Sequence, residues 1–427
     1  RTVASVWQER QVDWKSVVAS RVHSVAGVRR STNAAEASHH RQLSAHTGMC
    51  KKPGLMALWL VLLSSCQAGE HLGPNEGDTD PGVLASGYGI PDAIAVIGET
   101  EFLFAERSGL LHYYVDGQVT DVEGIPRSRM VDVYGGLLDV SLHPGFEDNR
   151  LVYIAYNDAA FGLAVARFEF RDGRARNLEV IYESNDFSIG SRIAWEDTTH
   201  FFLSFGVGGS PYPLPGPQDL NSDLGKIHRL TADGQIPPDN PLLPGASEAS
   251  TIWSYGHRNP QGLHYDAAHR ILYANEHGPL GGDELNIITA GGNYGWPLFS
   301  YGLNYDGTPV SDMTEEEAAA VSILPAKFWR PDFRVAPSGL LLVEGSQFPS
   351  WNGSFLMGAL NPQHLLRYDP ATDETEIVLA RVGRVRDVAQ LPSGTLLISV
   401  DAGSPNPSDS GRIIQVAPGQ GKAGNLP

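Results

Sequence analysis

From Ile94 onward the chain alternates short apolar runs with turns rich in Gly, Pro, Asn and Asp. The runs Ala93–Ile97, Glu101–Ala105, Gly109–Tyr114, Gly136–Leu142, Leu151–Tyr156, Leu163–Phe170, Leu178–Tyr182, Arg192–Trp195 and His200–Phe205 each read as a strand. Strand character returns at Lys226–Leu230 and His269–Ala274. It recurs at Ser338–Val343, Ser354–Met357, His364–Tyr368, Thr375–Ala380, Arg386–Gln390, Thr395–Val400 and Arg412–Val416. The best short helix is Thr314–Ala320, where Thr314 can cap and Glu315, Glu316 and Glu317 favour the first turn. No long amphipathic helix and no βαβ alternation interrupts the pattern, so the fold is all-β. So many short strands exceed what one sandwich needs and point to a β-propeller.

The N-terminal part reads differently. Met49, Lys51 and Lys52 precede an apolar run, Leu55–Leu63, followed by Ser64, Ser65 and Cys66. A basic start, a short apolar core and small residues describe an export signal, too short to span a bilayer. The ending Leu63-Ser64-Ser65-Cys66 resembles a bacterial lipobox, which makes Cys66 the expected lipidation site and the protein a periplasmic lipoprotein, with Gln67 compatible with the outer membrane. Residues 1–48, with a basic excess and no periodicity, are expected to be spurious upstream sequence or a disordered extension, and 49–65 the signal. A flexible tether over 66–85, a propeller domain over 86–418 and a disordered tail over 419–427 complete the expected organisation. Residues 1–65 hold 9 Lys and Arg against 3 Asp and Glu, leaving 22 against 46 and a formal charge of −24 over the remaining 362. A surface this acidic argues against nucleic acid as a partner.

Candidate chemistry is densest between Tyr255 and Pro297. Two clusters, Tyr255–Gly262 and Glu276–Asn286, flank the run His269–Ala274 and bring together Arg258, Asn259, His277, Asp283 and Glu284. Ionisable residues set among glycines on short strands are how binding loops are commonly built. The Gly- and Pro-rich segment Gly206–Leu220 is too long for a hairpin turn and is expected to act as a lid. No dinucleotide fingerprint, phosphate loop, zinc-binding HExxH or GxSxG elbow is present.

Across Ile90–Val416 the chain resembles the soluble quinoprotein sugar dehydrogenases, also called glucose/sorbosone dehydrogenases. The resemblance is carried by Gly135-Gly136-Leu137-Leu138-Asp139-Val140-Ser141-Leu142-His143-Pro144, Leu224-Gly225-Lys226, Tyr255–Pro297, Ala336-Pro337-Ser338-Gly339 and Arg384-Val385-Arg386-Asp387. It implies a six-bladed β-propeller of four-stranded antiparallel blades, with pyrroloquinoline quinone (PQQ) and calcium as cofactors. The backbone carbonyls of Gly278 and Pro279 match those that hold the catalytic calcium, an oxygen-seeking cation. Arg258, Asn259, Arg384 and Arg386 match positions that grip the quinone, whose carboxylates suit guanidinium partners.

The same resemblance exposes departures. The family places a base, histidine, where this chain has Ser188, and the aspartate that orients it where this chain has Val207. A serine hydroxyl cannot replace an imidazole titrating near neutrality, and valine accepts no hydrogen bond. Tyr134 replaces a glutamine beside Gly135-Gly136, and Asn361 a lysine that contacts the quinone in the best-understood family members. Arg334 offers a compensating cation. Asp283 and His277 are the candidate substitutes for the missing base. The resemblance implies PQQ- and calcium-dependent oxidation of an aldose or related hydroxy compound, with electrons passed to an acceptor. A non-oxidising propeller that binds carbohydrate or protein is the first alternative, and a calcium-dependent hydrolase or lactonase the second.

Overall fold

In a computed structural model of the chain, residues 82–417 are described, apart from 161, 208–215, 346 and 404–408. Cys66, the segments 1–48 and 49–65 and the tail 419–427 lie outside the described residues, as do 208–215 in the middle of the expected lid.

Six four-stranded antiparallel sheets form the blades of a propeller. The first strand, β1 (Val83–Tyr88), belongs to the last blade and is described below. Blade one comprises β2 (Pro91–Gly98), β3 (Glu101–Glu106), β4 (Leu111–Val115) and β5 (Gln118–Asp121). A two-stranded hairpin, β6 (Met130–Val131) and β7 (Tyr134–Gly135), leads into blade two. That blade has β8 (Leu137–Leu142), β9 (Leu151–Asn157), β10 (Leu163–Arg171) and β11 (Arg174–Glu183). Blade three has β12 (Ile193–Trp195), β13 (His200–Phe205), β14 (Lys226–Thr231) and β15 (Ile252–Tyr255). Blade four has β16 (Pro260–Asp266), β17 (Ile271–Glu276), β18 (Asp283–Ile288) and β19 (Lys327–Trp329). Blade five has β20 (Pro337–Leu342), β21 (Phe355–Ala359), β22 (His364–Asp369) and β23 (Glu374–Leu379). In blade six, β24 (Arg384–Gln390), β25 (Leu396–Asp401) and β26 (Gly411–Val416) are completed by β1, paired antiparallel to β26 from Val83↔Ile414 to Tyr88↔Gly411. Segments from opposite ends of the domain thus close one sheet. The domain therefore starts by Val83, three residues inside the stretch expected to be tether.

The strand period of two explains the core. Successive side chains point to opposite faces, so one strand serves two neighbouring blades. Phe201 packs with Tyr153 and Leu163 of blade two, whereas adjacent Phe202 packs with Leu272 and Ala274 of blade four. Likewise Leu103 faces Ile154 and Phe168, while Phe102 and Phe104 face Leu397 and Ile413. Each large apolar side chain buried this way contributes about 2 kcal/mol.

Polar contacts tie the innermost strands of neighbouring blades. The Ile193 amide donates to Asp139 Oδ2 at 2.6 Å, the Ile94 amide to Asp387 Oδ2 at 2.8 Å, and Ser338 Oγ to the Val385 carbonyl at 2.5 Å. Asn275 Nδ2 donates to the Ser338 carbonyl at 2.8 Å. Of the two short helices, α1 (Phe146–Asn149) and α2 (Glu315–Val321), the second is the expected one, with Thr314 as its cap.

Candidate active site

In an antiparallel blade, the start of the first strand and the link from second to third strand lie at the same end. Arg258 and Asn259 precede β16, Arg334–Ala336 precede β20, Ser188–Arg192 precede β12, and Arg384 opens β24. His277–Gly282 link β17 to β18, and the hairpin of β6 and β7 precedes β8. All sequence-predicted site residues among those described therefore gather at one mouth of the propeller.

The loop Gly278–Gly282 turns tightly. A Cβ on Gly278 would lie 2.0 Å from the Gly281 carbonyl oxygen, and Gly281 and Gly282 take φ of 69° and 67°, where glycine is favoured. None of the hydrogen bonds among the described residues ends on the carbonyl oxygens of Gly278 or Pro279. Two neighbouring carbonyls of this kind suit a hard cation.

Asp283 holds this loop to the next blade. Its Oδ1 accepts the Gly278 amide at 3.0 Å, and its Oδ2 accepts the amides of Val335 and Ala336 at 2.9 Å each. Ala336 sits in the left-handed region at φ 47°, so the carboxylate pins a backbone bend that alanine disfavours. Burial raises the pKa of Asp283, and the three amides work against that rise.

His277 is also fully engaged. Its Nε2 donates to the Pro337 carbonyl at 2.8 Å, and its Nδ1 lies 3.3 Å from Asn259 Nδ2. Burial, followed by the charges of Arg258, Arg384 and Arg386, lowers its pKa to about 3. It is a neutral imidazole with both nitrogens in use. Asp283 and His277 thus stand at the mouth as supports: His277 has both nitrogens in use, and the Asp283 carboxylate is directed at three backbone amides.

The same electrostatics place Arg258, Arg384 and Arg386 around His277. Arg258 donates from Nη1 to the His277 carbonyl at 3.0 Å, and its guanidinium lies 5.4 Å from the Trp296 ring centre. Arg386 Nε donates to Asp401 Oδ2 at 2.5 Å. Asp92, 1% exposed, has Arg107 Nε at 2.9 Å, with Arg192 and Arg386 at 3.7 and 4.0 Å. Burial and then the adjacent Arg386 lower the pKa of Arg384, whose buried Nε has no hydrogen-bond partner. Four arginines and the carboxylates of Asp92, Asp139, Asp387 and Asp401 share this buried cluster, and Arg384, half-buried with its Nε lacking a hydrogen-bond acceptor, is the member best placed to take an anionic ligand. The arrangement fits a ligand carrying carboxylates.

A second acidic network lies behind Arg258. Glu276, 3% exposed, accepts the Arg258 amide at 2.6 Å, contacts His257 Nδ1 at 3.0 Å and accepts Asn286 Nδ2 at 2.9 Å. Glu284 accepts the same Asn286 group at 3.2 Å, and its pKa is raised by burial and by Glu276. Glu276 and Glu284 line a small cleft together with Arg258, Gly278 and Trp296. Sequence reasoning placed Glu276 and Asn286 at the ends of a flagged cluster without giving them a role, and missed the Asp92–Arg107 pair. The signal available for Asn286 was its spacing from Glu284, which puts both side chains on one face of β18.

At the remaining positions, Ser188 and Val207 are 0% and 1% exposed. Ser188 Oγ donates to the Gly190 carbonyl at 2.6 Å and accepts the Gly206 amide at 3.0 Å, while Asn157 clamps the Ser188 backbone through Oδ1 and Nδ2. Arg334 and Asn361 are exposed on turns meeting at Ala336, whose carbonyl accepts the Leu360 amide at 3.0 Å. Tyr134 is exposed on its hairpin and close enough to Arg384 to act on its charge.

Comparison with known proteins agrees with this geometry. Residues 88–414 match the family model described as Glucose / Sorbosone dehydrogenase. The aldose sugar dehydrogenase of Escherichia coli is 32% identical over 350 residues, 77% of this chain and 90% of that protein. An uncharacterised protein of Synechocystis is 36% identical over 342 residues, 73% of this chain and 81% of that one. Among solved structures, the soluble E. coli aldose sugar dehydrogenase in its apo form superposes with a TM-score of 0.70 at 30% identity, covering 79% of this chain and 99% of that one. The PQQ-bound aldose sugar dehydrogenase of Streptomyces coelicolor gives 0.63 at 25% identity, covering 78% and 95%.

Proposed function

Because the chain belongs to the glucose/sorbosone dehydrogenase family of PQQ-dependent sugar dehydrogenases, we propose that it binds PQQ with calcium and oxidises an aldose or related hydroxy compound slowly. The observation that carries this reading is the arginine cluster at the mouth, in which Arg384 Nε is buried and has no hydrogen-bond acceptor. Arg258, Arg384 and Arg386 would hold the carboxylates of the cofactor, with Asn259 beside them, and the carbonyls of Gly278 and Pro279 would hold the cation. Bound there, the quinone supplies the two-electron oxidising chemistry. The chain's own residues orient it and keep its surroundings cationic.

Slowness follows from the proton. Oxidising a hydroxyl releases one, and a positioned base contributes typically 10²–10⁴-fold. Ser188 and Val207 are buried and supply none, and His277 and Asp283 are committed to other partners. The burial of Ser188 and Val207 is also what favours the second reading, a propeller that binds its ligand without oxidising it. We also propose that lipid on Cys66 anchors the domain in the periplasm, consistent with an acidic surface facing solvent.

Titration of purified protein with PQQ and calcium, followed by dye-linked oxidation of an aldose panel, tests this. Saturable quinone binding with turnover about 10²-fold or more below that of E. coli aldose sugar dehydrogenase is expected. Ser188→His combined with Val207→Asp should raise the rate at least tenfold. Failure to bind the quinone would sink the proposal in favour of the non-oxidising propeller.

A further inference from the structure

Between β18 and β19 the chain makes a long excursion, and part of it crosses directly over the loop 278–282. The crossing is made of glycine on glycine. A Cβ on Gly282 would lie 2.1 Å from the Gly302 amide nitrogen, and one on Gly302 would lie 2.2 Å from the Gly281 carbonyl oxygen. Residues without side chains let two backbones come this close. Beside the crossing, the Leu280 amide donates to the Leu303 carbonyl at 3.0 Å and the Leu303 amide to the Leu280 carbonyl at 3.2 Å. Residues 300–305 thus lie along the loop as a strap.

Loop and strap are both mounted on β19. The Gly282 amide donates to the Trp329 carbonyl at 2.7 Å, and a Cβ on Gly281 would lie 2.4 Å from Pro331 Cα, so the end of β19 backs the loop. The adjacent Phe328 carries the strap. The Tyr301 ring stacks on it with centroids 3.6 Å apart and planes 6° from parallel, and Phe299 meets Tyr301 edge-on at 5.0 Å. The Tyr301 hydroxyl hydrogen-bonds Glu315, the first residue of α2.

We propose that this strap fixes the spacing of the Gly278 and Pro279 carbonyls, with Gly302 and Tyr301 as positioning residues for the cation. The inference rests on the reading of those carbonyls as calcium ligands. Neutral carbonyls bring no net charge to the cation, so their contribution depends on being held in place before it arrives. Gly302 touches the part of the loop that matters. A methyl group there would lie 3.0 Å from Pro279 Cδ as well as against the Gly281 carbonyl. Pro279 Cδ is bonded to the nitrogen of the planar Gly278–Pro279 peptide, so pushing the ring turns the Gly278 carbonyl with it. The stack of Tyr301 on Phe328 keeps Gly302 at its post.

Titrating the full-length chain with calcium at fixed PQQ, and reading quinone binding from tryptophan fluorescence, tests this without turnover. The calcium midpoint should rise at least tenfold in Gly302→Ala and in Tyr301→Ala. Tyr301→Phe keeps the ring on Phe328 and should stay within twofold of the wild type. In the calcium-free chain, hydrogen exchange at the Leu280 amide reads the strap by itself and should quicken at least tenfold in both Ala variants. Should Gly302→Ala fail to fold, the contrast between Tyr301→Ala and Tyr301→Phe still decides. A midpoint unmoved in the folded Ala variants, or Tyr301→Phe as poor as Tyr301→Ala, would overturn the strap's positioning role while leaving the cofactor reading intact. Quickened exchange in the variants of a wild type that binds no PQQ at any calcium concentration would sink the cofactor reading and leave the strap's hold on the loop standing.

Discussion

Asp283 shows how hydrogen bonding decides a role that residue type leaves open. Its carboxylate is buried, yet both oxygens are taken by the amides of Gly278, Val335 and Ala336. Asp283→Ala would strand three donors and release the bend at Ala336, each stranded buried donor costing about 1–3 kcal/mol. The expected result is a loss of about 3 kcal/mol or more by urea denaturation, together with weakened calcium-dependent PQQ binding. Unchanged stability would mean water replaces the carboxylate at all three amides. Arg258, Arg384, Gly278 and Pro279 were legible because they lie in contiguous motifs. The roles of Glu276 and Asn286 and the Asp92–Arg107 pair were not, because their partners lie in other strands or blades and only the fold joins them. His277 was legible as a residue of the site but not in its role, since the carbonyl that fixes its proton belongs to Pro337, 60 positions away.

At the scale of elements, runs with aromatic and β-branched residues were read well, and polar or terminal strands were not. Strand β18 looks like turn sequence because Asp283, Glu284 and Asn286 are polar, but Glu284 and Asn286 are spent on the buried network around Glu276 and Asp283 on the amides of Gly278, Val335 and Ala336, so tertiary contacts override local propensity. Strand β1 was partly assigned to the tether because its partner, β26, lies more than three hundred residues away. The helix α2 is the opposite case, written locally. Thr314 Oγ1 accepts the Glu317 amide at 3.3 Å, and Glu317 Oε2 accepts the Thr314 amide at 2.8 Å. Thr314→Ala should cost this helix about 1 kcal/mol, the usual value of an N-cap. Amide exchange over Glu315–Val321 should quicken about fivefold, with the blade strands unaffected. A uniform change across the domain would show that the helix is coupled to global stability instead.

The whole molecule carries a buried ionic ring along its axis, and that ring makes stability depend on pH in two opposing ways. Burial acts against the charge on Asp92, but Arg107, Arg192 and Arg386 override it and hold its carboxyl below the usual carboxylate range. The stability this gives is present above the unfolded pKa and lost as pH falls through the folded one. Asp139 works in reverse. Burial pushes its pKa up to about 7, only partly offset by Arg192, and Asp387 adds to the rise; Asp387 is itself raised by burial to about 6. A carboxyl whose folded pKa lies above the unfolded value binds its proton more tightly when folded. Its contribution is therefore full below the unfolded pKa and declines as pH rises through the folded value. Between about pH 4 and pH 7 the Asp139 contribution should fall by an amount on the order of a few kcal/mol. Asp139→Asn keeps an oxygen to accept the Ile193 amide and removes the titration. The melting temperature of the wild type should drop over this pH range more steeply than that of the variant, the two converging at the acid end and separating toward pH 8 with the variant higher. Parallel profiles would show that Arg192 keeps Asp139 ionised throughout, so that the inter-blade contact from Asp139 to Ile193 is a charged one.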